Sequence, residues 1–196
     1  MLTGALRSNG IDCLSTREPG GTPLGRRLRE AFLETEETVA PIAELLLFAA
    51  DRAQHVELLI RPALAEGRIV ISDRYADATF AYQGAGRGFS EAVVDQIIQL
   101  ATGGLKPDLT LFFDISEETA FARTRSRTDT GESVNRMDAE TADFYSRVRK
   151  AYLEIAEREP ERFLIIDGTR SVEEIHAHVW EIVRPMVEKL PSGETA

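Results

Sequence analysis

Short apolar runs rich in β-branched and aromatic residues alternate along this chain with longer segments of helical period. Buried parallel strands have nearly continuous apolar sequences, as in the runs at 69–71 and 109–113. The alternation predicts an α/β fold built on a parallel sheet. The pattern predicts strands at 11–15, 68–72, 108–113 and 163–166, and helices at 23–33, 42–66, 90–102, 117–125, 141–158 and 172–189.

Local signals mark the ends of several predicted helices. Ser90 and Ser171 precede acidic first turns and are expected to be N-caps, and Gly67 and Gly103 follow helices as C-terminal glycines. Pro62 falls inside the segment 42–66, where it is expected to kink the helix or divide it in two.

Composition limits the class of protein. With 196 residues, 43% of them hydrophobic, the chain can bury one sizeable core. It contains no uninterrupted apolar run of about 18 residues, no secretory signal, and one cysteine, Cys13, so we expect a cytoplasmic protein. The formal net charge of −10 argues against broad attraction to nucleic acid or to an anionic membrane. Twenty of the 23 basic residues are arginine, which suits phosphate recognition but would also follow from genomic base composition.

Ligands of doubly wound sheets bind beyond the carboxyl ends of the strands, and three of the four predicted strands end in distinctive polar residues. The first runs into Arg17 and a glycine pair that permits close backbone approach, although an ordinary strand-to-helix turn would look similar. The second ends in Asp73-Arg74, which either orients a phosphate or forms a surface ion pair. These ends are candidate sites for an anionic ligand.

Two further features suit a nucleotide. Phe48 and Arg52 share a helix face, where they either stack a base and bond its edge or serve as a core residue and its surface neighbour. A basic, glycine-containing segment follows the third strand and resembles a lid that closes over phosphates, although a solvated basic face is the alternative. Its arginines are Arg123, Arg125, Arg127 and Arg136.

The histidines and the cysteine carry no such signal. His55, His176 and His178 lack partners at metal-ligand spacing, so we interpret them as structural and predict no metal site made by protein side chains alone. Cys13 is interpreted as a packing residue.

Together these segments resemble the thymidylate kinase family of nucleoside monophosphate kinases. The similarity covers nearly all of the chain from residue 2 to about 187. It is carried by the segments 17–22 (REPGGT), 46–55 (LLFAADRAQH), 73–75 (DRY), 81–84 (AYQG), 106–108 (KPD), 135–138 (NRMD) and 144–149 (FYSRVR).

The resemblance implies roles that spacing alone does not assign. Phe48 would stack on thymine, Arg52 would reach its carbonyl edge, and Arg17 would lie near the acceptor. Arg74 would hold the dTMP phosphate and, with Asp73, belong to the catalytic group. The other residues named by the resemblance fall into two sets. Thr79, Tyr82 and Gln83 would line the nucleoside pocket, with Tyr82 favouring deoxyribose, and Arg123, Arg125, Arg127 and Arg136 would bind the ATP phosphates, with Arg123 and Arg127 also catalytic.

One departure from the family pattern concerns the donor nucleotide. The family begins with a strand, a Gly-rich loop and a helix, but no G-x-x-x-x-G-K-[ST] occurs in these 196 residues. The absent strand is the central one of the family's sheet, so its neighbours are expected to lie about 10 Å apart, two strand spacings, with unpaired backbone groups. Either Met1 is an internal start of a protein longer by about 15 to 20 residues, or the gene is a decayed fragment, and the intact downstream motifs favour the first.

The sequence therefore predicts a P-loop kinase-like α/β fold with three layers, a parallel sheet without its central strand, and a helical lid. One domain is expected over 1–190, with the lid at about 124–140 and a flexible tail at 191–196. The resemblance implies a homodimer that phosphorylates dTMP with ATP and Mg²⁺, with activity impaired in the chain as given. The alternatives are a kinase for another nucleoside monophosphate and a non-catalytic nucleotide-binding or interaction protein.

Overall fold

The computed structural model describes residues 1–116, 118–120, 122 and 135–189. Four parallel strands form two separate pairs: β1 (Cys13–Arg17) with β2 (Ile69–Asp73), and β3 (Thr110–Asp114) with β4 (Phe163–Asp167). Within the described residues β2 and β3 form no ladder with each other. This arrangement agrees with the predicted parallel sheet interrupted at its centre.

Helices cover both pairs. In chain order the larger ones are α1 (Leu2–Ser8), α2 (Pro23–Leu33), α3 (Pro41–His55), α4 (Arg61–Ala65), α5 (Ala76–Thr79), α6 (Glu91–Thr102), α7 (Ala142–Arg158) and α8 (Val172–Val187). A π-helical segment (Phe80–Gly86) continues α5, and a short 3₁₀ turn (Arg136–Ala139) precedes α7. In the part of the chain described here, no helix is long and apolar enough to cross a membrane.

The ends of these helices follow from local sequence. The Thr22 side chain accepts a bond from the Gly25 amide, with Pro23 at the first helical position, so α2 begins where a capping threonine and a proline favour it. Ser171 caps α8 as predicted, whereas the Ser90 side chain makes no capping bond. Gly103 ends α6 with φ 57°, in the left-handed region that glycine adopts without strain.

The predicted helix at 42–66 is divided. After α3, residues 56–60 form a π-helical turn (Val56–Ile60), in which the Arg61 amide bonds the carbonyl of Val56. Pro62 follows at once and has no amide hydrogen to donate to the preceding turn. The predicted division is therefore present as a π-turn directly before the proline.

Two apolar clusters hold the layers together. Leu6, Cys13, Val179 and Val183 form one, which packs α1 and α8 against partly buried side chains of both strand pairs, including Ile71 and Leu111. The two pairs therefore share one core although they share no ladder. The other cluster lies between α2, the π-helical segment and α7. It consists of Phe32, Leu33, Ala81, Met137, Phe144, Val148 and Ala151.

Parallel pairing determines where the polar strand ends lie. In the β1–β2 register, Arg17 is the partner of Asp73, and the Glu18 amide extends the ladder by donating to the Asp73 carbonyl at 2.9 Å. Side chains that leave β1 and those that leave β2 therefore meet at one edge, beside the second cluster.

Candidate active site

A cavity of about 280 Å³ opens at this edge. All seven residues predicted to bind the acceptor line it, together with Asp73. The wall consists of Arg17, Glu18, Pro19, Arg29, Leu33, Phe48, Arg52, Asp73, Arg74, Ala78, Thr79, Tyr82, Gln83, Asn135, Met137, Asp138 and Tyr145. Residues far apart in the sequence therefore share one concave surface.

Arg74 occupies an unusual backbone conformation in this wall. Its φ of 68° makes it the one non-glycine residue with positive φ among those described, and the Ser72 hydroxyl donates to its carbonyl at 2.7 Å. The guanidinium carbon lies 4.7 Å from the centre of the Tyr82 ring. A cation over an aromatic face is held in place while its N–H groups stay available, so Arg74 is suited to bind an anion in the cavity.

Arg52 is 2% exposed and is fixed by three partners. Its Nε donates to Glu18 Oε2 at 2.8 Å and its Nη1 to Thr79 Oγ1 at 2.7 Å, while Nη2 donates to the Tyr75 carbonyl at 3.0 Å. A guanidinium has five N–H donors, so these bonds leave donors for a ligand in the cavity. The ion pair with Glu18 neutralises most of its charge, which favours a neutral carbonyl over a phosphate as its target.

Glu18 extends this network to His55. Its Oε1 lies 2.8 Å from His55 Nδ1, and His55 Nε2 lies 2.7 Å from Thr16 Oγ1, with the histidine fully buried. A carboxylate accepts only, so Nδ1 carries a proton. Position 21 must be glycine, because a Cβ there would lie 2.6 Å from His55 Nε2. The interpretation of His55 as structural is compatible with this contact, but the histidine also supports the wall residue Glu18.

Asp51 holds the loop that contains Gly20 and Gly21, here called the glycine loop. Its Oδ1 accepts the Gly20 amide at 3.1 Å, and the side chain is 1% exposed. Burial raises the pKa of this carboxyl, and the nearby Glu18 raises it further, against the lowering effect of the Gly20 bond.

Apolar and aromatic groups form the opposite wall. Phe48 meets Phe32 edge to face with ring centroids 4.9 Å apart, and Leu33 is buried beside them. The hydroxyl of Tyr145 donates to the Met137 carbonyl at 2.7 Å. Burial raises the pKa of Tyr145 to about 12, so this hydroxyl stays a donor at neutral pH.

Of the four predicted phosphate-binding arginines of the lid, Arg123, Arg125 and Arg127 lie outside the described residues. Arg136 is described, and its guanidinium points away from the cavity, donating to the Phe32 carbonyl at 3.2 Å and to Glu44 Oε2 at 2.5 Å.

The sequence did not single out several residues of the wall. Arg29 and Leu33 are four apart on α2, the helix that starts at the glycine loop, so helical spacing could have indicated them. Asn135 and Asp138 reach the cavity from the turn before α7, and Tyr145 reaches it from α7, so their positions depend on contacts that are distant in the sequence. Glu18 follows Arg17 directly, but nothing in the sequence indicated that it would bond Arg52 and His55.

The cavity is suited to a small anion that carries an apolar or aromatic part. Arg17 and Arg74 at the strand ends and Arg29 on α2 supply positive charge, whereas Phe48, Leu33 and the Tyr82 ring supply apolar surface. Parallel strands that bring arginines and a carboxylate to one aromatic-walled cavity form an arrangement suited to the phosphate and the base of a nucleotide.

Comparison with known proteins identifies the family. The thymidylate kinase family model matches residues 1–179. A thymidylate kinase of Leifsonia xyli is 49% identical over 173 residues, 87% of this chain and 79% of that protein. One from Synechococcus is 43% identical over 193 residues, 98% of this chain and 90% of that protein. The solved thymidylate kinase of Ehrlichia chaffeensis matches with a TM-score of 0.72 and 30% identity, over 93% of this chain and 85% of that one. The chain belongs to the thymidylate kinase family.

Proposed function

We propose that the cavity is an acceptor site for dTMP, and that the protein transfers the γ-phosphoryl group of ATP to dTMP. The observation that carries the proposal is the meeting of Arg17, Phe48, Arg52, Arg74 and Tyr82 in one wall. An oxygen of the dTMP phosphate attacks the γ-phosphorus while the bond to the leaving ADP breaks, so the protein needs to position and neutralise rather than form a covalent intermediate.

The contacts support a division of roles inside the cavity. Phe48 stacks on the base, and the remaining donors of Arg52 bond a carbonyl of thymine. Thr79 and Gln83 line the base, and Tyr82 fills the space that a 2′-hydroxyl would need. Arg17 and Arg74 hold the phosphate, with Arg29 on the same side, and Asp73 organises the reacting region.

Titration calorimetry with dTMP tests this site. We expect Arg74→Gln to weaken dTMP binding about ten- to a hundredfold, because a charge-assisted hydrogen bond contributes about 1.5–3 kcal/mol. Arg27→Gln is the matched control, since Arg27 is exposed on α2 and does not line the cavity. Equal affinity of the two variants for dTMP would reject the phosphate role of Arg74. Tighter binding of dUMP, CMP or AMP than of dTMP would favour a kinase for another nucleoside monophosphate.

The donor nucleotide is expected to be ATP with Mg²⁺. Among the described residues no group of three His, Cys, Asp or Glu side chains could hold a metal ion, so Mg²⁺ would be bound mainly by the nucleotide phosphates and water, with Asp73 nearby. The predicted contacts of Arg123, Arg125 and Arg127 with the ATP phosphates remain part of the proposal. Arg136, by contrast, is engaged elsewhere and would approach ATP only after leaving Glu44.

The 196 residues by themselves are proposed to bind dTMP but to transfer phosphate slowly. They contain no G-x-x-x-x-G-K-[ST] segment to supply backbone N–H groups and a lysine to the ATP phosphates. The same absence favours the alternative of a non-catalytic nucleotide-binding protein. A coupled assay for ADP release decides between them: any dTMP-dependent turnover supports a kinase, whereas dTMP binding without turnover supports the alternative. Tight MgATP binding by this chain would contradict the reasoning about the missing segment.

A homodimer in the cytoplasm is part of the same proposal. α3 packs on α6, and both helices carry exposed apolar side chains, including Ile42 and Leu46 at 47% and 52% exposure and Leu100 at 86%. An exposed apolar surface of this kind is suited to contact with a second copy of the chain. Sedimentation equilibrium should give twice the chain mass, and Leu46→Glu should halve it; a monomer for the unaltered chain would exclude this interface.

A further inference from the structure

A second group of charged residues lies behind the cavity, centred on Glu44. This carboxylate is 0% exposed, sits in the first turns of α3, and is not part of the cavity wall. Gln83 Nε2 donates to its Oε1 at 2.9 Å, and Arg87 donates to both of its oxygens at 3.0 and 2.9 Å. Arg136 Nη2 donates to Oε2 at 2.5 Å. Three side chains from two other segments thus meet on one buried charge.

Each of these partners is attached to the cavity wall, Arg87 through a bond of 3.6 Å to Met137 Sδ. Gln83 is itself a wall residue, and Arg136 lies between the wall residues Asn135 and Met137. Arg136 Nε also bonds the Phe32 carbonyl, next to Leu33 of the wall. Glu44 therefore connects three parts of the wall without touching the space that they enclose.

Residues 135–138, here called the roof turn, are held both internally and externally. A capping box holds the turn internally: Asn135 Oδ1 accepts the Met137 amide and Asp138 Oδ2 accepts the Asn135 amide, both at 2.9 Å. Externally, the Met137 carbonyl accepts the Tyr145 hydroxyl, and two ion pairs anchor the turn: Arg136 pairs with Glu44, and Glu140, just beyond the turn, pairs with Arg87 at 2.5 Å. Since Glu44 also holds Arg87, both ion pairs lead to the same carboxylate.

We propose that Glu44 is a positioning residue for the acceptor site. It holds the roof turn and Gln83 in place over the cavity, so that affinity for dTMP depends on a carboxylate that does not touch dTMP. The inference rests on the proposed function. A buried carboxylate that satisfies two guanidinium groups is difficult to replace, because removing it leaves buried cations without a partner.

Glu44→Gln is the direct test. The amide keeps one acceptor oxygen but presents N–H groups to donors, so the bonds to Arg87 and Arg136 cannot all form. We expect faster hydrogen exchange at the amides of 135–140 and at least tenfold weaker dTMP binding by calorimetry. If Glu44→Gln does not fold, Arg136→Gln is used in the same two measurements. Arg136 is partly exposed, and its loss leaves Glu44 paired with Arg87.

Asp77→Asn is the matched control. Asp77 is a buried carboxylate held by Arg162 at 2.7 and 2.8 Å and by Thr110 at 2.8 Å, and none of these residues lines the cavity. This variant should lower stability without selectively speeding exchange in the roof turn. A protein that is only destabilised would not show faster hydrogen exchange selectively at 135–140.

The outcomes separate the inference from the function on which it rests. Unchanged exchange at 135–140 in both Glu44→Gln and Arg136→Gln would overturn the anchoring. Faster exchange with unchanged dTMP affinity would overturn the positioning role. Failure of the unaltered chain to bind dTMP would reject the proposed function, while the exchange measurement would still decide whether Glu44 holds the roof turn.

Discussion

Glu18→Gln removes the charge at the centre of the network that fixes Arg52. Glu18 is 4% exposed and makes two bonds of 2.8 Å, one to Arg52 Nε and one to His55 Nδ1. A glutamine side chain can accept only through its oxygen, so its NH₂ group faces either Arg52, which only donates, or His55, whose Nδ1 accepts only after the ring changes tautomer. In either case the buried guanidinium keeps its charge without a counter-ion.

The size of the effect follows from these contacts. A hydrogen bond to a charged group contributes about 1.5–3 kcal/mol, and breaking a buried ion pair from one side costs about 3–5 kcal/mol. Some of this is offset because Arg52 retains Thr79 and the Tyr75 carbonyl. We expect a loss of about 3 kcal/mol, a large share of the roughly 5–15 kcal/mol by which domains are stable.

Urea unfolding and calorimetry with dTMP measure the two consequences. The urea midpoint should fall by an amount that corresponds to about 3 kcal/mol of unfolding free energy. dTMP should bind about tenfold more weakly, because the ion pair that holds Arg52 at Nε is lost. Glu30→Gln is the control, since Glu30 is exposed on α2. If Glu18→Gln were as stable as the control to within about 0.5 kcal/mol, the surface-like value for such a change, the network would not carry the role assigned to it.

Three other predictions concern stability. Gly86→Ala should cost about 1–3 kcal/mol in urea unfolding, because the new Cβ would lie 2.6 Å from the Phe144 ring; an unchanged midpoint would show that the ring moves freely. For Glu44, burial opposes the charge but the bonds from Arg87, Gln83 and Arg136 outweigh it, so its folded pKa lies below 4.5. The stabilisation is therefore present above about pH 4.5 and lost as pH falls through the folded pKa. Lowering the pH should thus lower the thermal unfolding midpoint of the wild type more than that of Glu44→Gln. Burial raises the pKa of Tyr145 to about 12, so unfolding free energy should fall as pH rises from 10 to 12, with delayed phenolate absorbance; full ionisation near pH 10 would contradict its burial.

The sequence predicted the elements well where local signals decide them. The helix at 23–33 has the bounds of α2, because a capping threonine and a proline fix its start. Three of the strands begin one or two residues later than predicted, because charged residues such as Asp12, Arg68 and Asp108 lie at the predicted starts and not in the ladders. The π-helical segment at 80–86 was not anticipated, because its apolar and polar residues give no period that distinguishes it from an α-helix.

The site was predictable as a set of strand ends, but its connections were not. Parallel register alone brings Arg17 beside Asp73, so the sequence could place them together. By contrast, His55 finds Glu18 across 37 positions and Arg136 finds Glu44 across 92, and no local pattern indicates such pairs. The contact between Arg136 and Glu44 can therefore be found only in the folded structure.

Arg74 shows that the site opposes the stability of the chain that carries it. A left-handed backbone costs a residue with a side chain about 1–2 kcal/mol, and glycine would adopt φ 68° with little strain. Arg74→Gly would relax the loop while removing the guanidinium over Tyr82. Selection for heat resistance alone would therefore favour glycine here, so libraries screened only for survival at high temperature should discard this arginine before most others.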